Sequence, residues 1–74
     1  MMSIEELRTL AATVADEMQR GMSDDTRQAF IDVRAELFQR GVFDPVLIRF
    51  DSATAPKASV AEVAEQLAKI AASL

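Results

Sequence analysis

The choice between a purely helical chain and a mixed one depends on residues 43–50, Phe43-Asp44-Pro45-Val46-Leu47-Ile48-Arg49-Phe50. A helix can begin well here, because Asp44 is a good N-cap and Pro45 has its φ angle preset and no N–H to leave unpaired. A strand here would be the only one in the chain and would need a partner from another copy. The stretch therefore predicts a short helix over about 45–51, with a lone strand that pairs across a dimer as the alternative.

The residues before this stretch predict a long first helix over about 4–19. Ser3 and Glu6 have the spacing of a capping box, and apolar residues then recur every three or four positions along one face. Gly21 follows the last of them, which is typical of a left-handed residue that ends a helix.

A second long helix is predicted over about 24–40, with Ser23 as its N-cap and Gly41 as its left-handed stop. Its apolar residues form two ridges separated by about 100° around the helix, so more than one neighbour is expected. The first ridge contains Phe30, Val33 and Leu37, and the second contains Ile31 and Phe38.

The last helix is predicted over about 59–73, after a loop over 51–58. Ser59 and Glu62 have capping-box spacing, and a seam of large apolar residues follows at alternating intervals of three and four. Alanines widen its apolar face, so contacts with two other elements are expected. Residues 1–74 are thus predicted to form a single all-α domain, an irregular bundle of three long amphipathic helices and one short helix.

The composition argues against an enzyme. The chain of 74 residues contains neither cysteine nor histidine, so the usual nucleophile, general base and metal ligands are missing, and its two glycines are better explained as helix stops. Its carboxylates lie at caps or on solvated faces. We therefore predict no catalytic residue, no metal and no cofactor. With a net charge of −4 and no signal peptide or membrane-spanning run, a cytoplasmic protein is expected.

Three arginines lie where apolar residues would be expected. Arg27 and Arg34 are seven residues apart, on a line between the two ridges of the second helix, and Arg49 lies in the short apolar segment. Their aliphatic stems could cover the edge of the core while their charged ends pair with carboxylates, in which case Arg34→Leu would be neutral or stabilising. Alternatively, they rim an apolar groove for an acidic or amphipathic partner. The predicted partner-binding residues are Arg27, Phe30, Ile31, Arg34, Phe38 and Arg49.

Nucleic-acid binding is the alternative function from another class. Arg27, Arg34 and Arg40 on one helix suit a helix-turn-helix reader. However, Asp24 and Asp25 stand where a recognition helix would meet phosphate, and the net charge is acidic.

Asp51-Ser52-Ala53 resembles the Asp-Ser-Leu of acyl carrier proteins, which are also small, acidic and four-helical. The resemblance covers three residues and implies Ser52 as the carrier residue. In that family the serine lies near mid-chain and starts a long helix, whereas Ser52 lies late in this chain and away from the next helix. The alternative is that Asp51 and Ser52 form a turn.

The sequence thus favours a non-catalytic protein-protein interaction module. Its partner is expected to be another protein or a second copy of itself, as a homodimer or as a subunit of a larger assembly. This expectation rests on the second and last helices, whose apolar faces are wider than a monomer of 74 residues can easily cover.

Overall fold

A computed structural model describes residues 2–51, 53–54 and 56–74. Within these residues the chain forms four helices and no strand. The helices are α1 (Ile4–Arg20), α2 (Asp24–Gln39), α3 (Pro45–Arg49) and α4 (Lys57–Ser73). The predicted all-α bundle is confirmed, and the short apolar segment is helical as expected, although it ends two residues earlier than predicted.

The core lies mainly between α1 and α4, with α2 packed on α1 and α3 packed on α4. Helix α1 buries one side, as the periodicity predicts, and α4 contacts two elements. Helix α2 buries its first ridge as expected, but in the second ridge Ile31 is exposed and Phe38 is only half-buried. Ala64 and Ala71 are buried in the seam of α4, where small side chains allow close packing. The large, fully buried side chains are Leu7, Val14, Met18, Phe30, Val33, Leu37, Leu47 and Leu67.

Both glycines stop a helix, but by different geometries. Gly41 has a φ of 83°, and the N–H groups of Gly41 and Val42 donate to the carbonyls of Phe38 and Leu37. These two bonds form the predicted left-handed stop. Gly21 instead has φ 147° and ψ 153°, a conformation almost confined to glycine. The prediction that Gly21 is left-handed is therefore wrong. Only one residue separates it from the Ser23 cap, so the chain must turn sharply at Gly21.

The start of α4 also differs from the prediction. Ser59 does not cap this helix, because the helix begins at Lys57 and Pro56 is its N-cap. The Pro56 carbonyl accepts from the N–H groups of Ser59 and Val60, at 2.9 and 3.2 Å. Pro56 has φ −66° and ψ 158°, an extended conformation that its ring permits, and the helix follows directly after it.

Candidate functional site

Helix α2 carries two parallel stripes of side chains that have the same spacing. The inner stripe is Thr26, Phe30, Val33 and Leu37, and the outer stripe is Arg27, Ile31, Arg34 and Phe38. Steps of four, three and four residues are typical of a seam at which two helices pack. All four residues of the inner stripe are buried, whereas Ile31 in the outer stripe is exposed and its other three members are half-buried. The outer stripe therefore has the spacing of a packing seam, but the rest of the chain buries it only in part.

The inner stripe is closed even at its polar end. Thr26 is 5% exposed, and its hydroxyl bonds the side chains of Ser23 at 2.9 Å and Glu17 at 3.4 Å. Ser23 also accepts from the Thr26 N–H as the predicted N-cap of α2. This contact ties the start of α2 to the end of α1, which fixes the rotation of α2. The outer stripe consequently faces away from α1, toward α3.

An open groove of about 590 Å³ lies between the outer stripe and α3. Three other hollows on the surface are smaller, at about 340, 380 and 400 Å³. The groove is lined by the whole outer stripe on one side and by α3 and the following turn on the other. Its lining residues are Arg27, Ile31, Arg34, Phe38, Ile48, Arg49, Phe50, Asp51 and Ala53.

Arg34 holds the two sides of the groove together. Its Nη1 donates to the carbonyl oxygens of Leu47, at 3.1 Å, and Phe50, at 3.0 Å. These carbonyls belong to the C-terminal end of α3, where helix geometry leaves acceptors without an intrahelical donor. The guanidinium also lies 5.2 Å from the ring centre of Phe30, in a cation–π position. The expected pairing of Arg34 with a carboxylate is thus replaced by capping of α3.

Helix α3 is fixed at its other end by Asp44. One carboxylate oxygen accepts from the N–H of Val46 at 2.9 Å, as an N-cap, and the other accepts from the side chain of Gln66 at 2.8 Å. Leu47 is fully buried beneath the helix. Phe50 packs edge-on against Phe30, with ring centres 5.3 Å apart. Five residues of helix are therefore held in a definite position between α2 and α4.

The groove has the opposite charge from the rest of the chain. Its lining contains three arginines and one aspartate, so it carries +2, and the remainder of a chain with net charge −4 carries −6. Asp24 is outside the lining but pairs with Arg27 at 2.6 Å, and counting it leaves +1 against −5. Arg49 is exposed, and its Nε donates to the Pro45 carbonyl of its own helix at 3.3 Å. The groove is a cationic region of an acidic protein.

Exposed apolar side chains concentrate at this groove. Among the described residues, the large exposed apolar ones are Ile4, Ile31, Phe43 and Ile48. Ile31 and Ile48 line the groove, and Phe43 extends it through contact with Phe38, at 5.7 Å between ring centres. The total accessible area is 4563 Å², close to the roughly 4,500 Å² that a compact monomer of 8.1 kDa exposes. Three of the four exposed residues, all except Ile4, thus mark one surface, and the exposure does not reflect loose packing overall.

The structure brings the predicted partner-binding residues together. Arg27, Ile31, Arg34, Phe38 and Arg49 all line the groove, whereas Phe30 is fully buried beneath it and supports Arg34. Ile48, Phe50 and Asp51 on the opposite wall were not among the predicted partner-binding residues. With a helix starting at Pro45, Ile48 lies about 100° around the axis from Leu47, so helix geometry places the two side chains on different sides.

Other predicted sites gain no structural support. Ser52, the carrier residue implied by the resemblance to acyl carrier proteins, lies outside the described residues. Next to it, Asp51 accepts from the N–H of Ala53 at 3.0 Å, which is a turn contact. Nowhere in residues 2–51, 53–54 and 56–74 do three or more possible metal ligands cluster. In that same part of the chain, no helix combines the length and the apolar character needed to cross a bilayer.

Comparison with known proteins gives no relative from which a function could be transferred. No protein-family model, curated protein or solved structure matches this chain. The function must therefore be argued from the groove itself.

Proposed function

We propose that this protein is a non-catalytic, intracellular interaction module that binds another protein through the groove between α2 and α3. The observation that carries the proposal is the outer stripe of α2. It repeats the spacing of the buried inner stripe, but it is left partly open and is continued by the exposed side chains of Ile48 and Phe43. Exposed apolar groups gathered on one surface and mixed with arginine are typical of protein interfaces.

A two-fold homodimer through this groove is disfavoured by charge. An isologous contact would place the cationic lining of one copy against the identical lining of the other. Like charges that meet in an interface cost free energy unless counter-charges separate them. Sedimentation equilibrium at about 100 μM tests this point, and a dimer that Arg49→Glu strengthens would show that the copies do meet at the groove.

Two isoleucine variants test the proposal. Ile31→Glu places a charge at the centre of the groove, and Ile4→Glu makes the same change on α1, outside the groove lining. The two side chains are matched in exposure, at 37% and 39%. Glutamate is also a good helix former, and at Ile4 it adds an acidic group to the first turn.

The measurement is the set of host proteins that co-purify with tagged protein, quantified for wild type and both variants. We expect at least one stoichiometric partner to be retained by wild type and Ile4→Glu and to be lost from Ile31→Glu. Equal recovery with all three proteins would contradict a role for the groove. Recovery of nucleic acid that depends on Ile31 would favour the nucleic-acid alternative.

A further inference from the structure

We infer that the occupant of the groove is a single amphipathic helix from another protein, with acidic side chains beside its apolar ones. This inference rests on the proposed function and specifies the class of partner. It follows from three features of the groove: the spacing of the outer stripe, the length of that stripe, and the alternation of arginine with apolar residues along it.

The spacing and length fit one helix. Ile31 and Phe38 are seven residues apart, so they lie on one line about 10 Å apart along α2. Two helices that cross at a shallow angle repeat their contacts at this interval, and apolar residues at positions i, i+3 and i+7 of a partner helix would match it. From Arg27 to Phe38 the outer stripe spans about 16 Å, or three helical turns.

The charge pattern selects acidic flanks. Along the outer stripe an arginine precedes each apolar residue, and Arg49 lies on the opposite wall. A helix with apolar residues in the groove would therefore bring its flanking side chains to arginines on both sides. Arg27 already pairs with Asp24, and Arg34 donates to the α3 carbonyls. Glutamate or aspartate there would therefore pair chiefly with the exposed Arg49 and gain from the net positive charge of the lining, while lysine or arginine would be repelled.

A second copy of this chain does not provide such a helix. Outside the surface formed by the groove and Phe43, Ile4 is the single large exposed apolar residue in the described part of the chain. The acidic helix α1 has its apolar face buried in its own core, at Leu7, Val14 and Met18. A second copy therefore offers acidic surface but no further exposed apolar stripe that could enter the groove.

The test uses the full chain and peptides of defined design. The first is a capped peptide of about 14 residues with leucines at i, i+3 and i+7 and glutamates beside them. In the second, lysines replace the glutamates. In the third, the same residues as in the first are reordered so that the leucines share no face. Binding is followed by amide chemical shifts. We expect the acidic peptide to shift Ile31, Phe38 and Ile48 most, and to bind at least about tenfold more tightly than the other two.

Charge reversal on the protein provides the matched control. Arg49→Glu should weaken binding of the acidic peptide about fivefold and strengthen binding of the lysine peptide. Arg20→Glu changes the net charge equally on α1, where Arg20 pairs with Asp16, and should leave the preference for the acidic peptide unchanged.

Several results would overturn the inference. Equal binding of the acidic and lysine peptides, or no shift in the groove with either, would exclude an acidic helix as the occupant. A single-stranded oligonucleotide that binds the groove more tightly than the acidic peptide would also exclude it. The proposed function survives each of these results as long as recovery of a host protein still depends on Ile31. That dependence is measured separately, in the co-purification experiment.

Discussion

The inner and outer stripes of α2 have the same spacing on the same helix but differ in how far the rest of the chain covers them. Each outer residue follows an inner residue directly in the sequence, so the two stripes lie about 100° apart. The inner stripe is closed by α1 and by contacts such as that between Phe30 and Phe50. The outer stripe alternates arginine with apolar residues and borders the open groove. Periodicity therefore shows that a face can pack, and the residues within it indicate whether the chain's own core covers it.

Two phenylalanines on α2 should show the largest contrast between the stripes. Phe30→Ala removes a fully buried ring from the inner stripe and should lower the free energy of unfolding by about 4 kcal/mol. Phe38→Ala removes a half-buried ring of the outer stripe and its contact with Phe43, so we expect about 1 kcal/mol. Urea unfolding followed by circular dichroism measures both. Similar losses would mean that the outer stripe is part of the core.

Arg34 should show an intermediate effect, since it belongs to the outer stripe but supports the fold. The hypothesis that Arg34→Leu would be neutral or stabilising assumed a charged end that only pairs at the surface. The structure instead gives this guanidinium two half-buried acceptors at the end of α3. Removing their donor should cost about 2 kcal/mol in the free energy of unfolding.

Arg34→Lys is the matched control for this substitution. Lysine keeps the positive charge, but its ammonium group cannot repeat the planar guanidinium geometry. We therefore expect the free energy of unfolding to fall by about 1 kcal/mol. The same urea titration compares the two variants. If Arg34→Leu unfolds at the wild-type urea concentration or above it, Arg34 does not fix α3.

Local signals in the sequence predicted most of the fold. The caps at Ser3, Ser23 and Asp44 and the stop at Gly41 depend on neighbouring residues, and each is found in the structure. The Ser59 cap is wrong because the helix begins two residues before it, at Lys57, with Pro56 as its N-cap. When two possible N-caps lie close together, as Pro56 and Ser59 do, their presence alone does not show which of them begins the helix.

The site was predictable only in part, because it depends on distant contacts. The position of Arg27, Ile31, Arg34 and Phe38 on one face follows from helix geometry. The acceptors of Arg34 lie 13 and 16 residues away in the chain, and only the packing of α3 against both neighbours brings them to its guanidinium. Arginine between two apolar ridges was nevertheless a useful signal, since it marked the side of α2 that the core leaves open.

The most direct test of the central claim, that the exposed centre of the outer stripe at Ile31 serves binding and not folding, is to measure stability and partner recovery together for Ile31→Glu. We expect its free energy of unfolding to stay within about 0.5 kcal/mol of both wild type and Ile4→Glu, as for other surface substitutions. Recovery of the co-purifying partner should nevertheless fall at least about tenfold relative to Ile4→Glu. A large loss of stability, or full recovery of the partner, would contradict the claim.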